Sequence, residues 1–246
     1  VAVPFTPVPG TKSWQVLYRS TSATGSAIAV SGTVIVPTAR WVGIGSRPLL
    51  SWAVGTRGLG DGCAPSYSLA NGFDYEAAFI TAAIARGWAV AVTDYQGLGT
   101  PGVHTYVVGK AEGRAVLDAA RAAERLSGTG LSSSSPVGIM GYSQGGGAAA
   151  WAAQLAPTYA PELKIKGVAA GGVPADLRAV ASALDGSPFV SLALFASIGY
   201  DGAYSDLHLT NYLNTRGKQL LANSGSLCVA SLDGLKGILG TSFTHI

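Results

Sequence analysis

The stretch VGIMGYSQGGGAAAWAA, residues 137–153, decides the fold of this chain. An apolar run typical of a buried strand leads into Gly141-Tyr142-Ser143-Gln144-Gly145, and small apolar residues typical of a helix follow. A G-x-S-x-G motif between a strand and a helix predicts a sharp turn that lifts the serine above a sheet. Such a turn excludes bulky side chains two residues before and two residues after the serine, and Gly141 and Gly145 satisfy this requirement.

The same turn has a chemical consequence. The helix that follows directs its first backbone N–H groups toward the serine, so the Gln144 amide can stabilise an oxyanion formed when Ser143 attacks a carbonyl. The motif in this setting predicts the nucleophile elbow of an α/β-hydrolase fold.

The rest of the chain supports an α/β fold with a mainly parallel central sheet and helices on both faces. Residues 14–19 and 27–37 alternate and predict an antiparallel hairpin. Short apolar runs predict buried strands at residues 48–54, 87–94, 137–142 and 165–171. Helical patterns lie between them at residues 75–86, 111–126 and 143–156, the last ending at Pro157.

After Gly171 the pattern changes to helices without intervening strands, at residues 176–184, 189–198 and 207–221. We therefore predict two regions. Residues 1–172 form the N-terminal part of a hydrolase core with an incomplete sheet, and residues 173–246 form a helical cap or lid inserted after the nucleophile helix. The apolar segment 186–200 predicts a core helix or a lipid-facing flap.

Composition excludes several classes of protein. Among 246 residues, 48% are hydrophobic and 12% are charged, which excludes intrinsic disorder. The net charge of +3 comes from scattered side chains, so a nucleic-acid groove is not expected. We expect no transmembrane segment, since the uncharged residues 126–161 are broken by glycines and Pro136. The prolines that soon follow Val1 argue against a signal peptide here, so in a secreted protein it would already be absent.

The two cysteines, Cys63 and Cys228, have no metal-binding spacing, and we expect no metal and no cofactor. They form either a disulfide that closes a long loop or two buried free thiols. A disulfide would indicate an oxidising compartment.

Several stretches together resemble the secretory lipase family of α/β-hydrolases. They are WQVLYRSTSATG (14–25), AVSGTVIVP (29–37), VTDYQGLGTPG (92–102), GYSQGGGAAAWAAQLAPTYAPEL (141–163) and GVAAGGVPADL (167–177). The similarity runs from about Trp14 to Cys228. It implies a secreted lipase or esterase with a helical cap between the nucleophile and the triad acid.

Carried over by motif, the resemblance implies that Ser143 is the nucleophile, that the Gln144 amide is one oxyanion donor and that the Asp94 side chain is the other. An aspartate donates only when protonated, so a crowded apolar site would have to raise its pKa. The alternative for Asp94 is a carboxyl that caps a loop. The resemblance also implies that Cys63 and Cys228 are paired.

The acid and the histidine that would complete a catalytic triad with Ser143 are harder to assign. In this fold they follow the serine in the order Asp or Glu, then His. His104 precedes the serine, and His208 lies in a predicted cap helix. Asp233 and His245 have the right order without a strand context. We therefore expect the triad acid and histidine beyond Ile246, in a C-terminal segment of the same gene product that was either cleaved and remains associated with this chain or lost from it.

The sequence thus favours a secreted serine ester hydrolase that acts on acylglycerols through an acyl-enzyme and makes transient contact with a lipid interface. Candidate substrate-binding residues are Tyr142, Phe189, Leu192 and Phe195, although segment 188–198 could equally be an ordinary buried cap helix. One alternative is a short-chain carboxylesterase with the same mechanism. Another is a non-catalytic binding protein with the hydrolase fold.

Overall fold

Six strands form one mixed sheet in the order β1-β2-β4-β3-β5-β6. The computed structural model describes residues 8–229 and residue 242. The strands are β1 Thr11–Thr21, β2 Ala27–Pro37, β3 Leu49–Ala53, β4 Ala89–Thr93, β5 Val137–Tyr142 and β6 Ile165–Gly171. Every strand predicted from the sequence is present, and β1 begins three residues earlier than the alternation indicated.

Strand pairing explains the two kinds of sequence pattern. β1 and β2 pair antiparallel from Thr11↔Pro37 to Thr21↔Ala27, and β2 pairs antiparallel with β4. β3 pairs parallel with β4 on one side and with β5 on the other, and β6 continues the parallel order. The alternating hairpin lies at one edge, whereas all residues of the apolar β3 and β4 are buried in the centre.

Helices cover both faces of the sheet. The sheet-covering helices are α1 Pro65–Ala70, α2 Ala77–Ala85, α3 Gly109–Arg125 and α4 Gln144–Tyr159. Consecutive β3 residues point to opposite faces. The Ser51 hydroxyl donates to the Val116 carbonyl of α3, whereas the Trp52 ring stacks on Phe79 of α2. The predicted two-sided α/β architecture is therefore confirmed.

The predicted end of α4 at Pro157 is wrong, because the helix continues through this proline to Tyr159. Proline has a helical φ and can remain in the last turn, although it lacks the N–H that would bond to the Ala153 carbonyl and its ring crowds that carbonyl. The Ala160 N–H still donates to the Ala156 carbonyl at 2.9 Å, which closes the last turn.

The region after β6 is helical, as predicted, with one correction. It contains α5 Leu177–Leu184, α6 Val190–Ala203, a 3₁₀ turn Leu209–Tyr212 and α7 Thr215–Ser224. The single helix predicted at residues 207–221 is therefore wrong. Asn214 has an extended backbone and its side chain accepts a hydrogen bond from the Gly217 N–H, so it begins a new helix instead of continuing an old one.

The helices after β6 pack with two loop residues, Leu59 and Tyr106, in a second hydrophobic cluster. Its buried residues are Leu59, Tyr106, Val190, Leu194, Phe195, Ile198 and Leu209, which form a cluster apart from the sheet core. The domain boundary at residues 172/173 stays a prediction. Within the described ranges, no helix combines the length and apolar character needed to cross a bilayer.

A disulfide joins the two cysteines across 165 residues of sequence. Cys63 lies in a short 3₁₀ turn before α1, and Cys228 forms a β-bridge with Gly58. The disulfide prediction is confirmed, and the chain that follows α7 is tied to the loop that follows β3.

Reduction of this disulfide should lower the free energy of unfolding by ~2–4 kcal/mol, because the oxidised unfolded chain is restricted by a long closed loop. Denaturant unfolding with and without reductant measures the change, and Cys63→Ser/Cys228→Ser should match the reduced protein. Alkylation of two thiols in the non-reduced protein would contradict the pairing.

Candidate active site

Ser143 occupies the turn between β5 and α4 with φ 59° and ψ −121°. A positive φ strains any residue other than glycine, so neighbouring contacts must hold it. The Ser143 N–H donates to the Gly171 carbonyl at 3.0 Å, and the Ser143 carbonyl accepts from the Gly147 N–H at 3.0 Å. The serine is thus fixed on one side by β6 and on the other by the first turn of α4.

The two motif glycines are required by close backbone approaches. A Cβ on Gly145 would lie 2.0 Å from the Ala53 carbonyl oxygen at the end of β3, and a Cβ on Gly141 would lie 2.2 Å from the Gly145 carbonyl oxygen. Neither position has room for any side chain, as the sequence motif predicted.

Ser143 and Gln144 open onto a largely apolar cavity of about 560 Å³. Helices α5 and α6 form much of its wall, together with residues of the loop before α3 and of the 3₁₀ turn after α6. The lining includes Tyr106, Val107, Leu177, Val180, Leu184, Leu192, Ala193, Ala196, Tyr200, Leu209 and Tyr212. A serine hydroxyl beside a space of this character suits a substrate with a long apolar portion.

The structure places one of the four predicted substrate-binding residues in the cavity wall and the other three elsewhere. Leu192 lines the cavity. Phe195 is fully buried behind the wall, with its ring packed edge-to-face on Tyr106. Tyr142 and Phe189 are 66% and 64% exposed, and neither is part of the lining. Tyr106 and Val107 were missed because they lie in a loop, where periodicity gives no signal.

The Gln144 side chain points into the protein, where it is 2% exposed. Its Nε2 donates to Glu112 Oε1 at 2.6 Å and lies 3.1 Å from His104 Nε2. Burial raises the pKa of Glu112 to about 8 and lowers the pKa of His104 to about 4. Both side chains are therefore uncharged at neutral pH. No sequence pattern had connected either residue with the site.

Asp94 lies at the carboxyl end of β4, as predicted, and is completely buried. Its carboxyl accepts hydrogen bonds from the Ser31 hydroxyl (2.7 Å), the Ser66 N–H (2.8 Å) and the Ser66 hydroxyl (2.5 Å). Burial raises its pKa to about 6, although these bonds act in the opposite direction. Asp94 joins β2, β4 and α1, and the described lining of the Ser143 cavity does not include it. Its role as an oxyanion donor stays a prediction.

A model of the family described as "Secretory lipase" matches residues 66–244, which include Ser143 and the helices after β6. The chain belongs to the secretory lipase family.

Other members and a solved structure agree with this family assignment. The chain is 35% identical over 220 residues to a "Probable inactive lipase MT1628" of Mycobacterium tuberculosis, covering 84% of this chain and 47% of that protein. It is 31% identical over 230 residues to "Secreted triacylglycerol lipase LIP2" of Malassezia furfur, covering 89% and 47%. The crystal structure of Candida antarctica lipase A superposes with a TM-score of 0.81 at 28% identity, covering 98% of this chain and 57% of that one.

This secretory lipase chain therefore spans about half the length of the relatives it matches. Among its described histidines, neither His104 nor His208 lines the Ser143 cavity. His208 is exposed and precedes the 3₁₀ turn in the cap. Asp233 and His245 lie outside the described residues, and the placement of the triad acid and base beyond Ile246 stays a prediction.

Asp94→Ala tests whether the Asp94 carboxyl is an oxyanion donor or a structural cap. Removing it leaves the buried Ser66 N–H without its acceptor, so the free energy of unfolding should fall by ~1–3 kcal/mol. Asp94→Asn retains one oxygen acceptor, so its free energy of unfolding should fall less. Urea unfolding of both variants measures the change. A loss of turnover in Asp94→Ala with unchanged stability would instead support the oxyanion role.

Between pH 6.5 and 8, we expect stability to fall as pH rises. Folded Glu112 keeps its proton to about pH 8 whereas its ordinary pKa is 4.5, so the folded state binds more protons than the unfolded state in this window. The slope from this one group is at most ~1.4 kcal/mol per pH unit. The melting temperature of Glu112→Gln should fall less steeply over the same range. Parallel slopes in the two proteins would contradict the raised pKa. Glu124, whose pKa burial raises to about 7, contributes equally to both proteins.

Proposed function

We propose that this secretory lipase is a serine ester hydrolase that acts on acylglycerols through an acyl-enzyme on Ser143. The observation that carries the proposal is the strained Ser143, held at the end of β5 and opening onto an apolar cavity of about 560 Å³. A half-buried serine that lines the cavity can reach an ester carbonyl, and the apolar wall suits the acyl chain.

In the proposed reaction, the Ser143 Oγ attacks the ester carbonyl carbon while a histidine removes the hydroxyl proton. The carbonyl oxygen becomes an oxyanion, which accepts a hydrogen bond from the Gln144 backbone N–H. The Ser143 N–H is already donated to the Gly171 carbonyl, so the next N–H along the chain is the one available. Collapse of the intermediate expels the alcohol, which takes the proton from the histidine. Water then releases the acid and regenerates the serine.

We propose that the histidine and the triad acid follow Ile246 in the full-length protein, since family resemblance places both after the cap. His245 with Asp233 is the alternative within this chain. His245→Ala in the full-length protein separates the two proposals, because only the alternative expects it to abolish turnover.

The protein is proposed to act outside the cell and at a lipid surface. A relative bears the name of a secreted triacylglycerol lipase, and a disulfide is typical of an oxidising compartment. Two cap residues, Phe189 and Tyr212, expose 64% and 75% of their surface. Large exposed aromatic side chains near a substrate cavity suit transient contact with lipid.

Two alternatives keep the same site. A short-chain esterase would hydrolyse soluble butyrate esters faster than emulsified long-chain triglycerides, whereas a lipase would show the reverse preference. A non-catalytic protein is suggested by the relative named a probable inactive lipase. The full-length protein would then hydrolyse neither substrate.

Ser143→Ala should reduce hydrolysis to the ~10³–10⁴-fold over water that remains when a triad nucleophile is removed. It should also abolish covalent labelling by a fluorophosphonate, which mass spectrometry of the labelled peptide measures. The matched control is Ser133→Ala, at an exposed serine in the loop before β5. Label on a different serine, or retained turnover, would refute Ser143 as the nucleophile.

Ala196→Phe should shift selectivity toward short acyl chains, because the added ring fills part of the cavity. Overpacking of this kind opposes a bulky ligand by ~1–3 kcal/mol, which corresponds to about a 5- to 150-fold fall in kcat/KM for palmitate esters relative to butyrate esters. Ala179→Phe, on the exposed side of α5, is the control. An unchanged ratio would show that acyl chains bind elsewhere.

A further inference from the structure

The residue after the nucleophile is held by two buried side chains from other parts of the fold. Gln144 begins α4, and its carboxamide lies between Glu112 of α3 and His104 of the loop before α3. All three residues are at most 2% exposed. A polar group buried this completely must use its hydrogen bonds well, since an unsatisfied one is costly.

The Gln96 carbonyl determines which nitrogen of His104 donates a hydrogen bond and which one accepts. His104 Nδ1 lies 2.8 Å from the Gln96 carbonyl oxygen, which can only accept, so Nδ1 carries the proton. In the neutral ring Nε2 is then an acceptor, and it can receive one N–H of the Gln144 carboxamide. The other N–H is donated to Glu112 Oε1. Both donors of the carboxamide are therefore satisfied.

Glu112 also supports the wall of the cavity. Its Oε1 accepts a second hydrogen bond from the Val107 N–H at 2.9 Å. Val107 has φ 52°, a left-handed conformation that is unfavourable for a β-branched residue. Because Val107 and Gln144 both line the Ser143 cavity, one carboxyl oxygen fixes two points of that cavity.

We propose that Glu112 is a positioning residue of the active site, and that with His104 it holds the Gln144 side chain so that the Gln144 backbone N–H is aimed at the oxyanion. This inference rests on the proposed function. A donor displaced by a fraction of an ångström loses much of its effect on a developing charge, so rigid support of the first helical turn contributes to rate.

The uncharged state of the network suits this role. Burial raises the pKa of Glu112 to about 8, so a neutral carboxyl lies behind the oxyanion donor at pH 7 and its carbonyl oxygen still accepts both hydrogen bonds. A carboxylate there would repel the oxyanion. The tyrosines that act electrostatically on Glu112 are Tyr95, Tyr106 and Tyr200, and burial raises the pKa of each, which keeps it neutral. Burial also keeps His104 neutral. The acidic Asp176 and the basic Arg178 line a cavity together with Glu112 and Gln144.

The test uses the full-length protein and p-nitrophenyl butyrate. Gln144→Ala keeps the backbone N–H but removes the carboxamide, so kcat should fall about 10- to 100-fold while KM changes less than about threefold. Glu112→Ala should lower kcat by a similar factor. Glu112→Gln keeps an oxygen acceptor and should restore kcat to within about threefold of the wild type. Glu124→Ala, on the same helix and away from this network, is the matched control and should leave kcat unchanged.

A double-mutant cycle adds a second criterion. Because both substitutions break one interaction, the loss in Glu112→Ala/Gln144→Ala should be well below the product of the two single losses. In nitrogen NMR spectra, His104 should show a protonated Nδ1 and a hydrogen-bonded Nε2, and Gln144→Ala should shift only the Nε2 signal strongly.

Three outcomes would overturn the proposal: full kcat in Gln144→Ala, equal damage from Glu112→Gln and Glu112→Ala, or strictly multiplicative losses. If Glu112→Ala does not fold, the kcat values of Gln144→Ala and Glu112→Gln still test the proposal. Failure of the proposed function is distinct, since the wild type would then neither hydrolyse the ester nor be labelled at Ser143.

Discussion

The site depends on one steric contact, the approach of the Gly145 backbone to the Ala53 carbonyl, where a Cβ would lie 2.0 Å from the oxygen. This contact brings the start of α4 against the end of β3. The short path from β5 into α4 then leaves Ser143 in a left-handed conformation at the edge of the sheet. A bulkier residue at position 145 would push the helix away and remove the strain that exposes the hydroxyl.

The strained turn is held from several directions. Gly171 at the end of β6 accepts the Ser143 N–H, and the first turn of α4 closes on the Ser143 carbonyl. Gln144 is anchored through its side chain to α3 and to the loop after β4. A residue in an unfavourable region of φ/ψ persists only where its surroundings determine it, and here four parts of the fold do so.

The two side chains that hold Gln144, His104 and Glu112, are uncharged at pH 7. Asp94, His104 and Glu112 are all fully buried. Burial shifts the pKa of each side chain in the direction that favours its neutral form. Neutral His104 and Glu112 avoid the desolvation penalty of buried charge. The buried Arg57, by contrast, is paired with Asp74 at 2.9 Å and with Glu76 at 3.2 Å. Apolar side chains of α5 and α6 complete the cavity, and the Cys63–Cys228 disulfide ties the chain after α7 to the loop after β3.

The sequence by itself determined the strands, the main helices and the sharp turn at Ser143. These features depend on local patterns: apolar runs for β3 and β4, and glycine spacing around Ser143. The tertiary structure alone decided that Asp94 bonds Ser31 and Ser66, that Phe195 lies behind the cavity wall, and that the cap segment breaks at Asn214. It also brought Glu112 and His104, 32 and 40 residues away in the chain, against Gln144. Contacts of this kind leave no periodic mark, because they depend on how whole helices and loops pack across the sheet.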